Sequence, residues 1–221
     1  MGNLLDCSFG LWNTQHKWHA PDQPKPVFLT DMGAHAHTKG FFIPMTVITG
    51  VFYMLSLLAI RLCGQWGFIY PTSSELEAIF GWFSVLTSAG CAGCLIALSI
   101  RDTVHHHRLN WQFTASYYVL AFAAADSNLV EWLFAYYRYH KQSNLVAVSF
   151  YFKALISLAA TASVIAYAGM YHYHDHSRSA RFEWVVEFLW AIYIFLFCLD
   201  LLPAIHYERY PLNDLEKGVS S

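Results

Sequence analysis

Long apolar segments alternate with short polar ones along the chain, and five of them are long enough to cross a bilayer. They cover residues 40–62, 77–100, 111–137, 150–170 and 182–203. About 20 residues of helix are needed to cross the hydrocarbon core. The segments are continuously apolar rather than alternating, which favours helices over the strands of a membrane barrel. The pattern therefore predicts an all-α, polytopic transmembrane helix bundle with five spans.

The polar segments divide the chain into three regions. Residues 1–39 form a polar arm, residues 40–203 the five-helix transmembrane domain, and residues 204–221 a short polar tail. The chain has 221 residues, of which 56% are hydrophobic and 13% charged, with a mean hydropathy of +0.33. A soluble all-α protein is the alternative, but the aromatic residues that flank the spans argue against it. The spans leave no room for a second globular domain.

Charge and cysteine content narrow the function classes. The formal net charge is −2, and no basic stripe is present, so a nucleic-acid partner is excluded. Cys91 and Cys94 form a C-x-x-C sequence inside the second span. The small residues beside them indicate close helix packing rather than a redox motif. Lysines and arginines are shared almost evenly between the two sides, so they do not fix the orientation.

Three histidine clusters fall on one side of the membrane because of the parity of the five spans, and each has an aspartate nearby. The candidate metal ligands are Asp31, His35, His37, Asp102, His105, His106, His107, His172, His174, Asp175 and His176. Imidazole and carboxylate groups suit zinc and related metals, and a bound metal activates water for attack on an ester or amide. Histidines also change charge within the physiological pH range. Ordinary loop residues without a joint role are the third interpretation.

Ionisable and polar residues inside the predicted spans are a second set of candidates, because such residues are costly in lipid. They are Asp126, Asn128, Glu131, Lys153, Glu183, Glu187 and Asp200. The spacing puts Asn128 and Glu131 on one face of the third helix, with Asp126 roughly 140° away. We expect the carboxylates of Asp126, Glu131 and Glu187 to face other helices.

The partners expected for this set follow from register. If the third and fourth helices form an antiparallel hairpin, Lys153 lies level with residue 129, so it can form an ion pair with Glu131 or Asp126. Alternatively, Lys153 lies at the start of the fourth helix and its ammonium reaches the membrane interface. Glu183, at the predicted start of the fifth helix, is favoured there by the helix dipole.

Several short motifs resemble those of the damage-regulated autophagy modulator family, also called the FRAG/SFK family. One is Val27-Phe28-Leu29-Thr30-Asp31-Met32-Gly33-Ala34, followed by Gly40-Phe41-Phe42. Another is Glu183-Trp184 with Asp200 seventeen residues later, and Phe150-Tyr151-Phe152-Lys153-Ala154-Leu155 is similar to the basic start of the family's fifth helix. The residues that match the family's motifs are Asp31, Gly33, Glu183, Trp184 and Asp200. The first two predict an ordered turn against the membrane.

The resemblance implies a topology and a range of functions. Family members have six spans with both ends cytosolic, and the five spans here match the second to sixth, so the first is lacking. The arm is then non-cytosolic and the tail cytosolic, in the endomembrane system or the plasma membrane. Members include a factor for GPI-anchor lipid remodelling and regulators of phosphoinositide signalling.

This implies a non-enzymatic protein that handles lipids, acts as an adaptor or belongs to a complex. Its partners are membrane lipids and other membrane proteins, with no cofactor. Two alternatives stay open: a metal-dependent membrane enzyme that acts on lipids, with zinc as the candidate ion, and a lumenal pH sensor. Whether the protein is an enzyme is left open by the sequence.

Overall fold

In the residues that it describes, a computed structural model of the chain has five long helices. It describes residues 28–29, 36–72, 74–100, 107–139 and 144–206, with side chains except at 36–39, 107–108 and 203–206. The helices are α1 (Ala36–Gln65), α2 (Glu75–Ile100), α3 (His107–Tyr139), α4 (Asn144–His172) and α5 (His176–His206). Within these ranges there is no strand. The all-α prediction is confirmed.

Four of the five helices are long and apolar enough to cross a membrane. They contain the segments Gly40–Gln65, Glu75–Ile100, Asn144–His172 and His176–Leu202. The remaining helix, α3, has 33 residues and is about 50 Å long, but it is the more polar one. Several of its polar side chains bond to α1, α2, α4 and α5, so much of its polarity serves contacts between helices.

Consecutive helices pack side by side, and α5 closes the ring by packing against α1. The neighbours run antiparallel: Arg138 at the end of α3, for example, pairs with Glu77 at the start of α2. The start of α1, the end of α2, the start of α3, the end of α4 and the start of α5 therefore share one end of the bundle, called here the α4–α5 turn end. The opposite end is called the α1–α2 turn end.

The helices extend beyond the predicted spans. Helix α4 begins at Asn144 and α5 at His176, six residues before the predicted starts at 150 and 182. Hydropathy marks the part of a helix that lies in lipid, whereas the backbone stays helical through polar turns outside it. Lys153 and Glu183 are consequently two turns or more inside their helices and not at their starts, so the interface and helix-dipole explanations for them are wrong.

Helices α1 and α4 end in the same way. After α1, Phe68 N–H donates to Cys63 and Gly67 N–H to Gly64, with Gly67 at φ 74°. After α4, the corresponding donors are Asp175 and His174, with His174 at φ 61°. These are Schellman motifs, whose left-handed residue is usually glycine. His174, a candidate metal ligand, thus holds a backbone position that glycine would fill with less strain.

We expect His174→Gly to stabilise the protein by about 1 kcal/mol, because a left-handed residue with a side chain costs about that much. Chemical unfolding in detergent micelles, followed by tryptophan fluorescence, measures the change. His172→Gly, in the last turn of α4, is the matched control and should destabilise, because glycine is a poor helix residue there. Destabilisation by His174→Gly would mean that its imidazole has a bound partner.

Aromatic rings fill the centre of the bundle. Trp190 stacks on Tyr193 with centroids 5.5 Å apart, and both Trp190 and Phe197 pack against Tyr53 of α1. Helices α1 and α2 approach each other closely at small residues: a Cβ added at Gly50 would lie 3.3 Å from the Ala92 backbone. The close packing predicted around the C-x-x-C sequence is therefore present, and Cys91 and Cys94 are free thiols.

Candidate functional site

The most deeply buried charges form an ion pair between α4 and α5. The Lys153 ammonium, with no exposed surface, pairs with the Asp200 carboxylate, which is 1% exposed. Ser149, one turn earlier on α4, donates a hydrogen bond of 2.5 Å to Asp200 Oδ1. Two charges in so dry a place are tolerated only when they are paired and hydrogen-bonded.

Helix α3 completes the surroundings of this ion pair. Lys153 Nζ donates to Asn128 Oδ1 at 3.1 Å, and Tyr193 OH donates to the Ala125 carbonyl at 3.1 Å. The ammonium also lies 4.2 Å from the centre of the Trp132 ring. The prediction that Lys153 pairs with Glu131 or Asp126 is therefore wrong. Lys153 does lie level with the part of α3 near residue 129, as predicted, but the rotation of α3 about its axis turns Asn128 towards the lysine instead.

A second charge cluster lies nearer the α1–α2 turn end. Arg61 Nη1 contacts Glu131 Oε1 at 3.2 Å and donates to Thr72 Oγ1 at 2.9 Å. Arg138 pairs with Glu77 at 3.2 Å and donates to the Pro71 carbonyl. Sequence reasoning missed both arginines because each lies at the edge of a span and was counted as a loop charge. Their position one residue from a predicted span end was the available signal.

A small cavity lies next to this cluster. Its volume is about 30 Å³, enough for a water molecule, and it is lined by Ile60, Gly64, Ile69, Tyr70, Thr72, Glu77, Glu131, Trp132 and Ala135. Within the described residues, the buried Arg61 Nε has no hydrogen-bond partner. The arrangement ties α1, α2 and α3 together, and it balances two cations against two carboxylates.

Gly81 of α2 is required by this cluster. A Cβ added there would lie 2.7 Å from Glu131 Oε1 and 2.9 Å from Arg61 Cδ. Gly81→Ala should therefore push the ion pair apart and destabilise the protein by about 1–3 kcal/mol. Gly93→Ala on the same helix, where an added Cβ meets nothing within 4 Å, should be neutral or stabilising. Equal unfolding midpoints for the two variants would contradict this account.

Glu187 lies in the half of the bundle towards the α4–α5 turn end. Two tyrosines of α3 donate to its carboxylate: Tyr117 OH at 3.4 Å and Tyr118 OH at 3.3 Å. The expectation that Glu187 and Glu131 face other helices is met by these contacts. Both carboxylates are thus held by donors from neighbouring helices, which gives them a structural role in joining those helices.

Glu183 binds the amino-terminal arm. Its Oε2 accepts a hydrogen bond of 3.0 Å from the Leu29 backbone N–H, and Glu183 itself is 1% exposed. The Phe28 ring packs edge-on against Tyr167 and Tyr171 of α4. The arm therefore contacts the bundle through Phe28 and Leu29, at the start of the family-like motif of residues 27–34. Asp31 and Gly33, for which an ordered turn is predicted, lie outside the described residues.

Asp126 meets in part the expectation that all three carboxylates face other helices. Its Oδ1 accepts a hydrogen bond of 2.9 Å from Ser157 of α4, yet the residue is exposed on the outside of the bundle. It lies near the middle of α3, where a charged carboxylate facing lipid costs about 2.5–3.5 kcal/mol. The expected contact with a neighbouring helix is therefore present, but it leaves Asp126 exposed at the edge between α3 and α4.

The histidines whose side chains are described lie at the turn between α4 and α5. The rings of His174 and His176 are 6.1 Å apart between centroids, and His172 lies in the last turn of α4. Asp175 caps α5: its Oδ1 accepts from Arg178 N–H at 3.1 Å. Among the residues that the structure describes, no three ligand-type side chains are grouped to hold a metal.

The other candidate ligands are not described by side chain. His37 and His107 lie in α1 and α3, and their side chains are outside the description. The remaining three histidines and two aspartates fall wholly outside it: Asp31, His35, Asp102, His105 and His106. The metal site across the three clusters therefore stays a prediction.

The five-helix ring, its lipid-exposed apolar surface and its paired interior charges define a polytopic α-helical membrane protein. Residues 5–204 match the model of the Frag1/DRAM/Sfk1/Cwh43P N-terminal domain. The chain belongs to this family, as the resemblance of its motifs predicted. The prediction that the family's first span is lacking concerns residues outside the described ranges and stays a prediction.

One relative is Protein sfk1 of Schizosaccharomyces pombe (strain 972). It is 57% identical to this chain over 210 residues, which are 95% of this chain and 63% of that protein. This chain thus spans less than two thirds of the length of the curated relative. No solved structure matches it.

Proposed function

We propose that this protein is a non-enzymatic membrane protein that acts through its membrane-embedded surface, as an adaptor or complex subunit that binds lipids and other membrane proteins. One observation carries the proposal. Each of the deep carboxylates and cations described above is bound by a group from another segment of the chain. Because these groups bind other parts of the chain, the outer surface is the part of the molecule that binds lipids and other membrane proteins.

The outer surface suits such a role. Large apolar side chains project from every helix, among them Phe52 on α1, Leu86 on α2, Val119 on α3, Leu158 on α4 and Phe195 on α5. They form a continuous surface for acyl chains and partner helices, which in lipid associate by close packing and interhelical hydrogen bonds. The family membership is consistent with a protein of this kind.

Extraction in polymer nanodiscs, without detergent, tests the proposal. We expect defined lipids or membrane proteins to co-purify in constant ratio to the chain, and a lipid extract incubated with the purified protein to keep its covalent structure, as judged by mass spectrometry. Time-dependent conversion of a lipid that requires the folded protein would contradict the proposal. If a metal chelator stopped that conversion, the metal-dependent enzyme would be the correct interpretation.

We also propose that the α4–α5 turn is non-cytosolic and the α1–α2 turn cytosolic, in the plasma membrane or an endomembrane. Tyr173 and Trp66 are exposed in these two turns, at opposite ends of the bundle. Single cysteines at these positions, in a chain whose native cysteines are replaced, should react with a membrane-impermeant maleimide from opposite sides. In intact cells with the protein at the surface, Tyr173→Cys should be labelled and Trp66→Cys protected. Labelling of both from one side would contradict the topology, and the reverse pattern would invert the orientation.

A further inference from the structure

Asp126 is the one described carboxylate of the bundle that is both deep in the membrane region and exposed at the outer surface. It lies about 28 Å from the start of α3 and about 20 Å from its end, close to the middle of that helix. Helix α3 packs against α2 and α4, which are long and apolar enough to cross a core about 30 Å thick. Ser157, its partner, is likewise near the middle of α4. The carboxylate is thus beyond the reach of interfacial water.

The structure supplies only part of what this carboxylate needs. Oδ1 accepts the Ser157 hydroxyl, and no other hydrogen bond to Asp126 is formed by the described residues. A carboxylate has about four acceptor positions. In the hydrocarbon core no water is present to fill the rest, so these positions can accept a hydrogen bond from another molecule.

The surroundings of Asp126 fit a helix. One turn from Ser157 on α4, Thr161 is exposed. On α3, Ala123 lies one turn before Asp126. Small residues let the backbone of another transmembrane helix approach closely, and a polar group at such a contact joins the helices by a hydrogen bond. These residues, with Asp126 and Ser157, are called the α3–α4 seam.

We propose that the α3–α4 seam binds a transmembrane helix of a partner protein that carries an arginine or lysine at mid-membrane depth, with Asp126 as its counter-ion. The charge of Asp126 selects a basic partner, and a second copy of this chain would instead bring two carboxylates together. The inference rests on the proposed function and names the chemistry of the partner. It explains why a carboxylate stands at a position where lipid would oppose it.

A designed peptide tests the seam. The probe is a Leu/Ala transmembrane helix with one central arginine, and its control has leucine at the same place. Energy transfer between labelled protein and labelled peptide in phosphatidylcholine vesicles gives the affinity. We expect the arginine peptide to bind about tenfold more tightly than the leucine peptide, as one interhelical polar contact provides. Asp126→Leu and Asp126→Asn should abolish this preference, whereas Leu158→Ala on the exposed face of α4 should keep it.

A steric variant separates charge from packing. Thr161→Trp keeps the carboxylate but fills the seam, so it should weaken binding of the arginine peptide to the level of the leucine peptide. Unfolding in micelles checks that the variants are folded; Asp126→Leu should be at least as stable as the wild type, because it removes a lipid-exposed charge.

Three results would overturn the inference. These are equal affinity for both peptides, retention of the preference in Asp126→Leu, and Asp126-dependent energy transfer between two copies of the chain. Loss of the preference when phosphatidylethanolamine is added would assign the site to a lipid amine and overturn it as well. None of these results touches the proposed function, which the nanodisc experiment tests separately by the co-purified partners and by lipid conversion.

Discussion

Lys153→Met should lower the free energy of unfolding by about 3–5 kcal/mol, because it leaves the Asp200 carboxylate buried without its cation. The double variant Lys153→Met with Asp200→Leu should recover most of the loss, because an apolar pair of similar volume avoids the desolvation of both charges. Unfolding in mixed micelles, followed by tryptophan fluorescence, measures both.

The exposed pair of Arg178 and Asp175 is the matched control. Their charged groups lie 3.2 Å apart at the surface, with 65% and 37% of the side chains exposed. Arg178→Met should change the stability by less than about 0.5 kcal/mol, because water screens such a pair. A Lys153→Met protein as stable as Arg178→Met would show that the buried ion pair is not formed in the membrane.

Trp190→Ala should destabilise the bundle by about 3–5 kcal/mol, because it empties the centre of the aromatic core. Trp190 is 7% exposed and stacks on Tyr193. Its ring centroid lies 5.3 Å from that of Tyr53 and 6.2 Å from that of Phe122. It therefore joins α5 to α1 and α3. The same unfolding experiment in micelles measures the loss.

Phe195→Ala is the control on the same helix. Phe195 is 65% exposed, so its side chain faces lipid in the folded bundle and its loss should cost less than about 1 kcal/mol. Similar destabilisation by Trp190→Ala and Phe195→Ala would mean that α5 is rotated relative to this description. The aromatic core would then be wrong.

The number, order and class of the helices followed from the apolar pattern, whereas their ends did not. Helix α4 starts at Asn144 because polar residues continue a helix outside lipid as well as apolar ones do. Hydropathy reports the solvent around a helix and not its backbone. A helix start such as Asn144 is therefore invisible to a method that looks for apolar residues.

Partners of buried charges were harder to predict than their depth. In the α4–α5 hairpin, Lys153 and Asp200 lie within about 8 Å of the same level, so register alone made them candidates. Register does not say how each helix is rotated, and rotation decided that α3 offers Asn128 to the lysine. The family-like motifs had marked Lys153 and Asp200 separately, without indicating that they meet.

Glu183 shows a third limit of the sequence. Its partner is the backbone N–H of Leu29, 154 positions away, and every residue except proline carries such a donor. No pattern of side chains could therefore point to this contact. Asp126 shows the converse, since its charge was evident and only the packing of α3 on α4 showed that it stays exposed.

We propose above all that the interior charges hold the helices together, while the outer surface binds lipids and other membrane proteins. The most direct measurement compares wild type with the Lys153→Met, Asp200→Leu double variant in native membranes, by extraction in polymer nanodiscs and quantification of the co-purified lipids and proteins. The account predicts a folded double variant with the wild-type set of partners in the same ratio. A double variant that folds with wild-type stability but has lost those partners, or a lipid-converting activity, would contradict it.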